Sequence, residues 1–165
     1  MLTRRHVLWT GASALALFIA NRLFGSPSVS QAAETFEVSH SDAEWHALLK
    51  PAQYAVLREE ATERPFSSPL DHEQRAGIFD CAGCDLPLFS SKTKYDSRTG
   101  WPSFWQPLDN AIGTADDTFL AMKRTEVHCS RCGGHLGHVF NDGPPPTGLR
   151  YCMNGIAMTF KPATA

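Results

Sequence analysis

The sequence predicts an α+β protein, mainly β, in which short helices come first and a largely antiparallel β core follows. Three observations carry that expectation. The segment after residue 33 has helix-start signals ahead of short apolar runs. From Ala76 onward the runs are short, rich in β-branched and aromatic residues, and broken by Gly, Pro, Asn and Asp. Two Cys-x-x-Cys pairs stand far apart, as a metal staple between distant parts of a sheet requires.

Taken in order, the chain begins with a segment unlike the rest. "MLTRRHVLW" carries adjacent Arg4 and Arg5, "GASALALFIA" is a short apolar run, and "PSVSQAAE" closes it with small residues. Charged, apolar and small-residue regions in that order form an export signal, and the paired arginines resemble the twin-arginine type. Ser30-Gln31-Ala32 suits a signal peptidase, so residues 1–32 are expected to be a signal cleaved after Ala32, leaving a domain over 33–165. The alternative is an uncleaved anchor, for which the apolar run is short. Either way the domain is expected outside the inner membrane, in the periplasm.

Residues 33–70 read as mostly helical. Ser41 and Glu44 match a capping box opening "AEWHALL", and Pro51 suits the first turn of "PAQYAVLREEAT". "ERPFSSPLD" reads as loop. The expected strands are "AGIFDC", "LPLFS", "TFLAMKRTEVHC", "HLGHVF" and "IAMTFKP". "NDGPPPTG" excludes helix and inner strand, and its three prolines predict a stiff, extended approach to Cys152.

The chain has 165 residues and a formal net charge of −2. That is one domain of ordinary size, and the balance of charge argues against a nucleic-acid partner. Five cysteines divide as two pairs and one. Cys81 and Cys84 in "CAGC", and Cys129 and Cys132 in "CSRC", have the spacing at which a tight turn offers two thiolates to one ion. Two such turns complete a closed tetrahedral zinc site of structural type. Gly83, Gly133 and Gly134 supply turn residues for positive φ. Two disulfides are the alternative in an oxidising compartment, and a thioredoxin-like pair lacks its βαβ surroundings.

Cys152 stands alone in "GLRYCMNG". A free cysteine is often only a small buried hydrophobe. Here Arg150 and Asn154 flank it at strand spacing, and a nearby guanidinium favours the reactive thiolate. His135 and His138 in "HLGH" can supply protons or be ordinary polar residues. Trp101 and Trp105, held beside Gly100 and Pro102, are either core or a wall for a small apolar group.

"GWPSFW", "CSRCGGHLGHVFNDGPPPTGLRYCMN" and the two cysteine pairs resemble the B-type peptide methionine sulfoxide reductases. The likeness runs from "LREEATERPFSSPL" to "MTF". It implies two packed antiparallel sheets and reduction of the R epimer of methionine sulfoxide within peptides. It implies that Cys152 is the catalytic cysteine and that Cys81, Cys84, Cys129 and Cys132 hold one structural Zn2+. It implies that Trp101 packs on the substrate methyl, that His135 and His138 lie near the sulfoxide oxygen, and that Asn154 and Arg150 complete the site. Where some relatives carry a resolving cysteine this chain has Thr99, which leaves recycling to an external thiol, thioredoxin-like or other. A monomer acting on oxidised proteins is the expectation. The rival readings are a zinc-stapled binding module with an inert Cys152, and a thiol–disulfide oxidoreductase using its cysteine pairs.

Overall fold

The computed structural model describes residues 35–118 and 123–164. The export signal expected over 1–32, with its cleavage point, lies outside the described residues. The chain enters through two helices. In α1 (Asp42–Leu48), Ser41 Oγ accepts the Glu44 N–H, and Glu44 Oε2 takes the Ser41 N–H at 2.8 Å, the capping box that the sequence predicts. α2 (Pro51–Glu59) has Pro51 in its first turn. It ends at Glu59 because Glu60 turns to φ 56°, short of the predicted end at Thr62. The helical reading is thus too long by residues 60–62, while 63–68 are loop as "ERPFSSPLD" predicts, followed by a 3₁₀ turn at Pro69–His72.

Nine strands follow among the described residues. β1 (Gly77–Cys81), β2 (Pro87–Ser90) and β9 (Met158–Pro162) form a three-stranded antiparallel sheet in the order β2-β1-β9. The other six form an antiparallel sheet in the order β3-β4-β8-β7-β6-β5. These are β3 (Lys94–Tyr95), β4 (Ser103–Phe104), β5 (Ile112–Asp117), β6 (Arg124–Cys129), β7 (His135–Phe140) and β8 (Arg150–Met153). β5 is absent from the strand expectation: its Gly, Ala and Asp residues sit half-buried or exposed at the sheet edge, where no apolar face is needed. β6 opens at Arg124, so the predicted run from Thr118 is shorter in its described part.

The two sheets meet through aromatic rings. Phe79 of β1 packs edge-on to Phe104 of β4 at 5.0 Å, and Phe89 of β2 stacks on Phe104 at 4.3 Å. All three are fully buried. Burial of each contributes about 2–3 kcal/mol relative to exposure. Val127, Leu136 and Met153 extend this core, and α2 packs beside it through Val56 and Leu57.

The two cysteine turns share one hydrogen-bond pattern. The Asp85 N–H donates to Cys81 O and the Cys81 N–H to Leu86 O; the Gly133 N–H donates to Cys129 O and the Cys129 N–H to Gly134 O. The residue after each pair has positive φ, Asp85 at 57° and Gly133 at 66°. Among the predicted turn glycines only Gly133 has this role; in the first turn Asp85, a residue type that tolerates the left-handed region, takes it. The loop before β8 is not extended as predicted. It curls back, with the Gly143 N–H on Gly148 O at 2.9 Å and the Gly148 N–H on Pro144 O at 3.0 Å.

Candidate active site

Cys152 lies on β8, an interior strand, with Ser103 of β4 opposite on one side and His138 of β7 on the other. Its half-buried thiol opens into a cavity of about 140 Å³ lined by Trp101, His138, Phe140, Asn154, Arg124 and Thr62. A wider trough of about 680 Å³ adjoins it, shares Thr62, Arg124 and His138, and is rich in carboxylates.

β7 carries a bulge that sets the histidines. Val127 pairs with Gly137 and His128 with His135, so Leu136 has no opposite number on β6. The extra residue turns His135 and His138 to one face, with rings 5.4 Å apart, although three positions would separate them in a regular strand. Gly137 permits this: a Cβ there would lie 2.1 Å from Cys152 O. Asn154 grips the bulge, sending both its main-chain N–H (2.8 Å) and its Nδ2 (3.1 Å) to Leu136 O.

His138 Nε2 lies 2.9 Å from Asp117 Oδ2, which also binds Arg124 at 2.6 Å. An ionised carboxylate only accepts, so Nε2 carries the proton. Burial lowers the imidazole pKa, against the pull of Asp117. His135 is buried and lies on the trough and not on the Cys152 cavity, with Nδ1 2.8 Å from Glu126 Oε1 and no partner for Nε2 among the described residues. His128 and His135 together hold the Glu126 carboxyl down to about 2.

Around the thiol, burial outweighs charge. It pushes the Cys152 pKa up, while Thr99, Arg150 and Ser103 pull it down. Arg150 thus favours the thiolate, as its place in the sequence suggests, but burial is the larger influence. Arg150 is committed elsewhere: both ends of its fork bind Asp142, at 2.9 and 2.8 Å, and its plane lies 4.3 Å over the Phe140 ring.

Trp101 is seated by the loop that "ERPFSSPLD" opens, to which the sequence assigns no part in the site. Its Nε1 donates to Glu63 O at 3.1 Å, and the Glu63 N–H donates to Asn154 Oδ1 at 3.0 Å. The Glu63 carboxylate accepts from Gly155 N at 2.6 Å and Ile156 N at 3.0 Å, at the start of the 3₁₀ turn Gly155–Ala157. Burial nonetheless raises its pKa. Trp105 stands outside the cavity lining. Sequence reasoning missed Glu63, Asp117, Arg124 and Glu126, none of which belongs to a local motif.

The four remaining cysteines converge away from this cavity. Their Sγ atoms all lie within 4.8 Å of one another, with Cys81–Cys132 at 3.7 Å and Cys84–Cys129 at 3.5 Å. These exceed a disulfide bond of about 2.05 Å. They suit a tetrahedron of thiolates about 2.3 Å from one ion, whose edges measure about 3.8 Å. The set thus joins the β1–β2 turn of one sheet to the β6–β7 turn of the other.

Fold and cavity together define a mainly β protein with one cysteine thiol in a small pocket and a separate cluster of four thiols. The chain belongs to the SelR domain family, whose sequence profile matches residues 49–162. It is 53% identical over 127 residues to the peptide methionine sulfoxide reductase MsrB of Agrobacterium fabrum, covering 76% of this chain and 94% of that one. The protein of the same name from Pseudomonas putida strain W619 is 57% identical over 120 residues, covering 72% and 90%. That of Methanosarcina barkeri is 51% identical over 125 residues, covering 75% and 88%.

Proposed function

We propose that this protein reduces methionine (R)-S-oxide in proteins and peptides to methionine, with Cys152 as nucleophile. The observation that carries the reading is the position of Cys152. It is the one cysteine outside the four-thiol cluster, and it faces a cavity bounded by Trp101 and His138. The family and its relatives point the same way.

The chemistry follows from the residues. Trp101 offers its ring to the methyl of the sulfoxide. The Cys152 thiol is neutral at rest, so its proton leaves as it attacks sulfur. The sulfoxide oxygen gains that proton, through His138 or a water beside it. In sum the oxygen moves from the substrate to Cys152: thiol and sulfoxide become sulfenic acid and thioether. Two external thiols then return the sulfenic acid to thiol, releasing a disulfide and water. A thioredoxin-like dithiol or a small thiol serves as reductant. The cysteine cluster would hold zinc, and a complete four-thiolate shell leaves the ion no open position for chemistry.

Turnover on separated R and S epimers of a peptidyl sulfoxide tests this. Wild type should reduce the R epimer alone, and Cys152→Ser should lose activity by about a thousandfold or more while keeping its fold. Activity surviving in Cys152→Ser would sink Cys152 as the nucleophile, and a wild type that leaves both epimers untouched would favour the binding module.

We also propose that residues 1–32 export the domain to the periplasm. The support is the order of Arg4-Arg5, an apolar run and small residues in the sequence. The periplasmic protein should begin at Ala33 by N-terminal sequencing. Retention of the intact N-terminus on the membrane would show an anchor instead.

A further inference from the structure

We propose that Ser97, Thr99 and Ser103 are positioning residues for Cys152. Their hydroxyls form a one-way hydrogen-bond chain that makes the thiol a donor, and the chain must reverse before Thr99 can donate to the thiolate. The polarity follows from counting protons, because each hydroxyl has one proton and two acceptor lone pairs. Ser103, fully buried on β4, gives its proton to the Trp101 carbonyl at 3.0 Å. Its oxygen also lies 2.7 Å from Ser97 Oγ, so Ser97 is the donor there. Ser97 Oγ lies 2.8 Å from Thr99 Oγ1, and with the Ser97 proton spent, Thr99 donates. Thr99 Oγ1 then presents only a lone pair to Cys152 Sγ, 3.9 Å away, and the donor at that contact is the S–H. A carbonyl cannot donate, and this single fact orients every link.

A thiolate is an acceptor only. When Cys152 loses its proton, sulfur faces a lone pair until all three hydroxyls turn. Thr99 then donates to sulfur, Ser97 to Thr99 and Ser103 to Ser97, and the Trp101 carbonyl loses the Ser103 proton. Ionisation of the nucleophile and the seat of the cavity wall thus draw on one set of hydroxyls. The charged and titratable groups that face Cys152 are Arg150 on its own strand with Asp142 beyond it, His138 on β7 with Asp117 behind it, Arg124 of β6, and Tyr95 of β3. None of them is a link in the chain, so comparison of variants holds them constant. The inference takes Cys152 as the reacting thiol, as proposed above. Alkylation reads the thiol directly, so its outcome stands apart from that of sulfoxide turnover.

The test is the pH dependence of Cys152 alkylation by iodoacetamide in the folded protein, followed by mass spectrometry of its peptide. Ser97→Ala frees the Thr99 proton for sulfur without disturbing Trp101. Its midpoint should fall, with alkylation at neutral pH about three- to tenfold faster. Ser103→Ala frees the Ser97 proton in turn but also removes Ser103's own pull on the thiol, so Ser97→Ala and Thr99→Val are the decisive pair. Thr99→Val removes the donor itself, so its midpoint should rise and alkylation should slow by a similar factor. A merely structural chain would move all three variants the same way. An unchanged or raised midpoint in Ser97→Ala, or a lowered one in Thr99→Val, overturns the proposal. Should the core variant Ser103→Ala fail to fold, Ser97→Ala and Thr99→Val decide it.

Discussion

Burial and neighbouring groups pull against each other at Cys152, and Thr99 is the residue on which the balance turns. Its Oγ1 lies 3.9 Å from the sulfur, so a cysteine placed there brings a second thiol within reach of the first. A disulfide needs its two Cβ atoms about 3.5–4.5 Å apart, a modest adjustment from this contact. Thr99→Cys should therefore capture the sulfenic acid. After one turnover without reductant, mass spectrometry should find a disulfide between the introduced cysteine and Cys152, in place of one added oxygen on Cys152. Recycling should then favour a dithiol reductant. A free sulfenic acid persisting beside the new thiol would show that the loop holds the two sulfurs apart.

At the scale of elements, the loop at residues 60–68 joins parts that the sequence keeps distant. Glu63 reaches Asn154 and Gly155 across 91 and 92 positions. Glu63→Ala should leave the N–H groups of Gly155 and Ile156 without an acceptor, costing about 1–3 kcal/mol. With that anchor gone, Trp101 loses its fixed seat and KM for the sulfoxide should rise. Glu63→Gln, which keeps one acceptor oxygen, should recover part of both. Urea denaturation and steady-state kinetics on the two variants check this, and an Ala variant as stable as wild type would refute it. The same distance explains what was legible in the sequence. β1, β2, β7 and β9 announce themselves through apolar and aromatic runs. Cys152, Trp101 and the cysteine pairs announce themselves through short motifs. β5 carries no apolar alternation because it is an edge, and β3 and β4 are too short to show any. Glu63, Asp117 and Glu126 act through partners far along the chain, and the bulge at Leu136 exists only once β6 is paired. The second helix stops early because Glu60 adopts a left-handed turn that no glycine signalled.

For the whole molecule, the cysteine cluster binds one sheet's turn to the other's. A metal bound there would therefore contribute its binding free energy to folding. The purified protein should hold about one zinc per chain, as a four-thiolate site implies. Cys84→Ser, or prolonged chelation, should release the metal and melt the domain cooperatively, seen together by elemental analysis and circular dichroism. A metal-free protein with its full melting temperature would show that the aromatic core between the sheets suffices alone.

Finally, Cys152, the proposed nucleophile, sits on an interior strand with a paired neighbour on each side. Fixing a residue's backbone costs about 1–2 kcal/mol of conformational entropy, and at Cys152 folding has already met that cost. Catalysis draws on it as prior order: the thiol needs no further ordering when a substrate arrives. The disorder lost on encounter is then the substrate's. An oxidised methionine in a loose or unfolded segment can thread into the cavity and surrender its freedom there. One locked in a packed interior would first have to unfold. On the proposed reaction, the rigidity of one strand should bias repair toward oxidised methionines in segments that are already loosened.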